Sequence, residues 1–150
     1  MKLTACLAFL LAFVAARALG AALATITVAY DEKYDVGATS LNTVACSDGE
    51  YGLETRNYTT FDSLPSFPNI GAAYAVAGWN SPDCGSCWEL TYTNGQGKSN
   101  SITITAVDHA GANSFNIGLK AMNTLTDNRA TALGRVTATA TQVPSSACGL

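Results

Sequence analysis

Alternation of apolar and polar residues predicts β-strands along most of the chain. Thr25–Tyr30 (TITVAY) and Arg135–Val143 (RVTATATQV) show the period of two that is typical of half-buried strands. Cys87–Thr93 and Ser101–Val107 flank the tetrapeptide NGQG, which is a strong hairpin signal. Gly71–Gly78 (GAAYAVAG) is small, apolar and bounded by glycines, which indicates a buried strand packed closely against its neighbours.

One segment follows a helical period instead. In Ser114–Leu125 the apolar residues Phe115, Leu119 and Met122 recur at i, i+4 and i+7, and Ser114 is a suitable N-cap. This pattern predicts one amphipathic helix over the whole segment. Many short strands with one or two helices indicate an all-β domain, either a small barrel or a sandwich.

The N-terminus carries an apolar run of a different kind. A charged MK is followed by a short apolar core and a small-x-small ending, which predicts a secretory signal peptide over residues 1–24. Cleavage is expected before Thr25, with cleavage after Gly20 as the alternative. A membrane anchor would need about 20 apolar residues without a cleavage signal. We therefore expect an extracellular protein with one domain over residues 25–150.

Removal of the signal peptide makes the chain more acidic. Lys2 and Arg17 leave with it, so six basic and eleven acidic residues remain, and the net charge changes from -3 to -5. No basic cluster is present in the remainder. Binding to nucleic acid or to an anionic membrane requires clustered Lys and Arg, and neither partner is expected.

Four cysteines remain in the predicted mature chain, namely Cys46, Cys84, Cys87 and Cys148. An even number in a small exported chain predicts two disulfides, and three pairings are open. The C-x-x-C pair Cys84 and Cys87 also allows a redox motif or half of a zinc site. A thioredoxin-like redox motif needs a βαβ context, and a structural zinc site usually has two C-x-x-C pairs. With a single histidine, no metal ion and no cofactor are expected.

Asp108 is the strongest candidate for a ligand-binding residue, because it ends an apolar strand and enters the loop AGANS. The alternative is an Asx-turn residue that bonds the following backbone. Hydrolysis of a polysaccharide requires two facing carboxylates, and no convincing second one is found. We therefore assign no catalytic residue and expect no enzymatic activity. The only histidine, His109, is expected to be a solvated loop residue.

Aromatic and amide side chains add three further candidates. Trp79 and Trp88 could stack against sugars, although aromatic residues in β-rich chains more often lie in the core. Asn57 begins an Asn-Tyr-Thr triplet and is a candidate N-glycosylation site on the protein surface.

Six segments, in order along the predicted mature chain, resemble the cerato-platanins, which are small secreted fungal proteins. These segments are Cys46–Arg56, Leu64–Gly71, Gly78–Trp88, Phe115–Thr126, Ala132–Val136 and Gln142–Leu150. The resemblance implies a six-stranded double-psi β-barrel, like the first domain of expansins and certain endoglucanases. It also implies the disulfides Cys46–Cys84 and Cys87–Cys148.

The resemblance further implies a function. Cerato-platanins bind chitin oligomers, loosen cellulose without hydrolysis in an expansin-like way, and elicit plant defence; several are virulence factors or allergens. The implied partners are N-acetylglucosamine oligomers, cellulose and plant surface receptors, for a monomer that self-assembles at interfaces. The alternatives are a surface-active protein of the hyphal wall, or a weak glycoside hydrolase on the same barrel.

The resemblance also implies a carbohydrate-binding groove, formed by the residues of this chain that match polar positions of the family. The matching polar positions are Asp108, Asn80, Ser81, Asn116, Tyr30, Asp31, Ser47 and Asp48. The chain departs from the family pattern at His109, where a small residue or Thr often follows the aspartate.

Overall fold

The computed structural model describes residues 23–150 and consists mainly of β-strands. The strands are β1 (Ala24–Tyr30), β2 (Ile70–Ala73), β3 (Cys87–Thr93), β4 (Ser99–His109), β5 (Ser114–Ile117) and β6 (Arg135–Val143). The α-helices are α1 (Leu119–Leu125) and α2 (Ala130–Leu133). Short 3-10 helices lie at Glu32–Asp35, Leu41–Thr43, Glu54–Arg56, Phe61–Ser63 and Ser145–Cys148.

The six strands close into a barrel in the order β1-β5-β2-β4-β3-β6. The pairs β1–β5 and β2–β4 are parallel, and the other neighbours are antiparallel. Closure leaves no unpaired sheet edge, which a sandwich of two sheets would have. The all-β prediction and the six-stranded barrel implied by the resemblance are therefore confirmed.

Alternate residues of the strands fill the barrel with apolar side chains. Val28, Leu90, Ile104 and Ile117 are fully buried. Phe115 is also fully buried, and its ring meets two further aromatic rings. The ring centroids of Trp88 and Tyr74 lie 5.6 and 5.7 Å from that of Phe115, in edge-on geometry that aromatic pairs favour.

Most strand predictions are confirmed, but the one over Gly71–Gly78 is wrong in its second half. The strand ends at Ala73, and the amide N–H of Val76 turns back to donate to the carbonyl of Ala73. Gly71 has a packing role, because a Cβ there would lie 2.5 Å from the carbonyl oxygen of Asn116. Close approach of β2 and β5 therefore depends on a missing side chain.

The helix predicted over Ser114–Leu125 is wrong in its first third. Residues 114–117 form strand β5, and the helix begins only after Gly118. Phe115 and Ile117 point inward with the period of a strand, which the i, i+4 spacing of the apolar residues conceals. The N-cap is Gly118 instead of Ser114, and glycine has no side chain to accept a hydrogen bond. The acceptor is Asp35, from a distant part of the chain, which accepts from the amides of Leu119 and Lys120.

Two disulfides join distant parts of the chain. Cys46 is bonded to Cys84 and Cys87 to Cys148, across 38 and 61 residues. The C-x-x-C cysteines thus belong to two separate bonds, in the pairing that the resemblance implied. The redox and zinc alternatives both require these sulfurs as free thiolates.

The predicted signal peptide lies outside the described residues, apart from its last two positions. Between residues 23 and 150, no helix has the length and apolar character needed to cross a membrane.

Candidate functional site

An open groove lies at one end of the barrel, with a volume of about 420 Å³. It is formed where β1 and β4 end, where β6 begins, and along β5. Its lining residues are Ala29, Tyr30, Lys33, Tyr34, Ala72, Asp108, His109, Ala110, Gly111, Ser114, Phe115, Asn116 and Arg135. Polar side chains from five separate segments thus meet around one concave surface.

Asp108 is held in the groove by four donors. Its Oδ2 accepts hydrogen bonds from Lys33 Nζ at 3.2 Å and from the Tyr34 hydroxyl at 3.0 Å. Its Oδ1 accepts from the backbone amides of Ala45 at 3.0 Å and His109 at 2.9 Å. The bond to the His109 amide is the kind of local bond that the alternative interpretation of Asp108, an Asx turn, predicts. The other three bonds join Asp108 to distant parts of the chain and fix the carboxylate.

Tyr34 serves as a permanent hydrogen-bond donor to Asp108. Burial raises the pKa of the Tyr34 phenol far above its ordinary value, and the nearby Asp108 carboxylate raises it further. Lys33 Nζ also lies 4.7 Å from the centroid of the Tyr34 ring. The phenol therefore keeps its proton and donates to the carboxylate throughout the physiological pH range.

Asn116 brings an unsatisfied acceptor to the same groove. Its Oδ1 is buried and accepts no hydrogen bond from any residue between 23 and 150. A buried polar atom without a partner carries a desolvation cost. Because Oδ1 is closed to solvent, it is an uncompensated polar position behind the groove surface and not itself a ligand contact.

His109 is oriented by the backbone. Its Nδ1 lies 2.5 Å from the carbonyl oxygen of Val76, and because a carbonyl only accepts, Nδ1 carries the proton. The side chain is exposed, as expected, but it lies at the end of β4 and lines the groove instead of lying in a solvated loop.

The eight predicted carbohydrate-binding residues fall into two groups. Tyr30, Asp108 and Asn116 line the groove. Asp31 follows Tyr30 directly and uses its Oδ1 to accept from the Lys33 amide, as the N-cap of the 3-10 helix Glu32–Asp35.

The remaining four, Ser47, Asp48, Asn80 and Ser81, lie where the loop after Cys46 meets the loop after Gly78. Asn80 Oδ1 accepts from the Tyr51 amide at 2.9 Å, which joins the two loops. Ser81 is buried, and its Oγ accepts from the amides of Ala77 and Asp83. Its hydroxyl therefore shapes the loop.

Three polar residues of the groove were not predicted from the sequence. Lys33 and Tyr34 follow Tyr30-Asp31 in one polar segment, and that proximity was the signal that could have found them. Arg135 starts β6 and donates to Thr27 Oγ1 at 2.9 Å. Only the pairing of β1 with β6 brings Arg135 to the groove, and a single sequence does not specify that pairing.

The two tryptophans have opposite environments. Trp88 is 7% exposed and belongs to the core, whereas Trp79 is 65% exposed. The glycosylation candidate Asn57 is exposed and has a φ of 67°, at the end of the 3-10 helix Glu54–Arg56. Its glycosylation stays a prediction.

Metal ligands are not grouped in the described part of the chain. No set of three or more His, Cys, Asp or Glu side chains among residues 23–150 is placed to hold a metal ion.

The fold and the groove define a small, disulfide-bonded β-barrel protein with an open polar groove at one barrel end. The family model described as Cerato-platanin matches residues 26–150. The chain therefore belongs to the cerato-platanin family, which confirms the resemblance.

Relatives and solved structures agree with this assignment. The chain is 40% identical over 111 residues to cerato-platanin of Ceratocystis fimbriata f. sp. platani, covering 74% of this chain and 76% of that protein. It is 45% identical over 123 residues to Allergen Asp f 15 of Aspergillus fumigatus, covering 82% and 76%. The crystal structure of cerato-platanin 2 from M. perniciosa matches with a TM-score of 0.80 and 45% identity, covering 85% of this chain and all of that one.

Proposed function

We propose that this protein is secreted and binds chitin- or cellulose-type oligosaccharides in the groove without cleaving them. The observation that carries the proposal is the open groove in which the fixed Asp108 carboxylate lies together with Tyr30 and Lys33. Sugar hydroxyl and acetamido groups supply donors and acceptors at short intervals along an extended chain. An open groove of preoriented polar groups suits such a ligand.

Preorganisation supports binding by this groove. Tyr34 and Lys33 hold the Asp108 carboxylate in one orientation before any ligand arrives. The entropy that a free side chain would lose on binding is therefore already spent in folding. The same groups can exchange hydrogen bonds with polysaccharide, which would separate wall chains without breaking a covalent bond, in the manner called expansin-like.

The carboxylate pattern supports a non-hydrolytic role. Asp108 is the only carboxylate among the described lining residues, and hydrolysis of a glycosidic bond normally needs two. Both Asp108 oxygens also already accept hydrogen bonds from the protein. We therefore place Asp108 in binding and assign it no catalytic step.

Titration with N-acetylglucosamine oligomers and cellulose oligomers tests the proposal. We expect Asp108→Asn to weaken binding by about tenfold, because it replaces a charged acceptor. Asp62→Asn is the matched control, since Asp62 is exposed and, among the side chains of residues 23–150, bonds only Thr60 Oγ1. Wild-type protein that binds neither oligomer by calorimetry or NMR would refute the groove assignment.

Hydrolysis is measured separately as reducing-sugar release from amorphous cellulose and chitin. We expect no sustained release. Sustained release by wild-type protein that disappears in Asp108→Ala would show a glycoside hydrolase instead.

We also propose that the exported protein acts at surfaces, as a plant defence elicitor or virulence effector and as a self-assembling coat of the fungal wall. Exposed apolar side chains of the predicted mature chain support surface activity, namely Val36, Tyr51 and Trp79. Surface tension of the purified chain at micromolar concentration tests self-assembly, and no decrease counts against it. Infiltration of plant tissue, with a heat-denatured and reduced sample as the control, tests elicitation.

A further inference from the structure

Trp79 is the most exposed aromatic side chain in the described part of the molecule, at 65%. An indole exposed to water does not gain the free energy that burial of its large apolar area would contribute. The second tryptophan, Trp88, is buried in the core, so the exposure of Trp79 is a feature of its own loop. Exposed tryptophan is the kind of residue that dominates binding sites.

The indole is held in place by its polar edge. Trp79 Nε1 donates to Asp48 Oδ1 at 2.7 Å, and Ser47 Oγ donates to the same oxygen at 3.3 Å. The hydrogen bond from Trp79 is also the main cause of the lowered pKa of the Asp48 carboxyl. A fixed indole loses little conformational entropy when a ligand covers its face.

Backbone geometry adds to this fixed arrangement. Asn80 has a φ of 57°, in the left-handed region that Asn tolerates, and its side chain bonds the Tyr51 amide. Gly49 packs against it so closely that a Cβ would lie 2.6 Å from Asn80 Oδ1. The loops that carry Asp48 and Trp79 are therefore joined to each other by close contacts.

Two short connections place this loop pair beside the groove. Asp108 Oδ1 is bonded to the Ala45 amide, and Asp48 follows three residues later. His109 is bonded to the Val76 carbonyl, and Trp79 follows three residues later. Three residues span at most about 11 Å of extended chain, so both loops begin at the Asp108 end of the groove.

We propose that Trp79 is a stacking subsite that extends the groove and covers one pyranose ring of a bound chitin- or cellulose-type chain. One face of a pyranose presents C–H groups, which suit the electron-rich face of an indole. The Asp48 carboxylate, exposed beside the indole, is an acceptor for the hydroxyl groups at the ring edge. The subsite rests on the proposed function and adds to it an aromatic contact outside the groove.

Titration of the full mature chain with a hexamer of N-acetylglucosamine tests the subsite. We expect Trp79→Ala to weaken binding on the order of tenfold, and Trp79→Phe to retain part of the affinity because a ring remains. Tyr92→Ala is the control, since Tyr92 is a partly exposed aromatic in the separate cleft around Lys98 and Asp127. It should bind as wild type, with unfolding curves confirming that every variant is folded.

Intrinsic fluorescence gives a second, independent measurement. Trp88 is buried but packs against Phe115, which lines the groove, so Trp79→Phe, which keeps Trp88, isolates the emission change that belongs to Trp79. We expect a blue shift on adding the hexamer to wild type, a similar shift at higher ligand concentration in Asp108→Asn, and none in Trp79→Phe.

The outcomes separate this inference from the proposed function. If Asp108→Asn weakens binding but Trp79→Ala does not, the groove assignment stands and the subsite is refuted. If Trp79→Ala changes only concentration-dependent self-association in sedimentation, Trp79 is a contact between copies and the subsite is also refuted. Failure of wild-type protein to bind either this hexamer or cellulose oligomers overturns both.

Discussion

At the scale of single residues, the pair of Tyr34 and Asp108 determines the character of the groove. Tyr34 is 1% exposed, and its hydroxyl reaches the Asp108 carboxylate from inside the barrel end. A buried phenol without this acceptor would lose a hydrogen bond, and the carboxylate without the phenol would lose one of its four donors. The groove's central acceptor therefore depends on a side chain that is itself part of the core.

The raised pKa of Tyr34 predicts a loss of stability at alkaline pH. An unfolded tyrosine titrates near pH 10, so both states hold the proton below that value. Above about pH 10 the unfolded state releases the proton and the folded state keeps it, so the free energy of unfolding falls by up to about 1.4 kcal/mol per pH unit.

Tyr34→Phe should remove this contribution. At pH 7 we expect it to cost about 1 kcal/mol for the lost hydrogen bond, with a shallower decline between pH 10 and 11 than wild type. Urea unfolding across pH 7–11 measures both effects. Parallel alkaline declines in the two proteins would contradict the prediction.

At the scale of elements, helix α1 depends on a carboxylate from a distant segment. Its own N-cap, Gly118, has no side chain, and Asp35 accepts from the first two amides at 2.7 and 3.2 Å. A Cβ at Gly118 would lie 2.7 Å from Asp35 Oδ1, so the glycine makes room for this cap. The contact fastens α1 to the segment that also carries Lys33 and Tyr34.

Asp35→Ala should destabilise the protein by about 1–2 kcal/mol, because two amides lose their acceptor and the helix start loses a negative charge. Glu89→Ala is the matched control, since it removes the same charge from an exposed strand position. Urea unfolding at neutral pH compares them. Equal stability of the two variants would show that the cap contributes nothing beyond its charge.

At the scale of the whole molecule, the two disulfides connect segments that are far apart in the chain. One joins the loop before the 3-10 helix Glu54–Arg56 to the C-x-x-C knuckle, and the other joins that knuckle to the C-terminal 3-10 helix Ser145–Cys148. All four cysteines are buried. The knuckle thus ties the Trp79 loop and the chain end to the barrel.

Removal of either bond as a pair of Cys→Ala changes should cost about 4 kcal/mol, because the unfolded chain regains loops of 38 or 61 residues. Thermal unfolding of Cys46→Ala/Cys84→Ala and Cys87→Ala/Cys148→Ala measures this cost.

We expect no alkylation of the mature native protein and no dithiol–disulfide exchange activity. A peptide map with a Cys84–Cys87 crosslink would contradict the assignment.

The strands were predictable where their pattern is local. The period of two in β1, β3 and β6 and the hairpin between β3 and β4 all result from neighbouring residues in the chain. The segment from Ser114 to Leu125 was not predictable in the same way, because its strand pairs with β1 and β2 and its helix is capped by Asp35. Local spacing carries no information about such distant partners.

The amino-acid sequence by itself determined the family and, through the family resemblance, the barrel class, since these depend on residue identity and order. Export and a binding role for Asp108 are predictions from the same sequence. The tertiary structure alone decided which polar residues meet. It brought Lys33 and Tyr34 to Asp108 and Arg135 to the same groove, and it separated Asn80 and Ser81 from the groove lining. It also left Trp79 exposed while burying Trp88. Those outcomes follow from strand order and closure of the barrel, which bring together residues as far apart in the chain as Thr27 and Arg135, 108 positions.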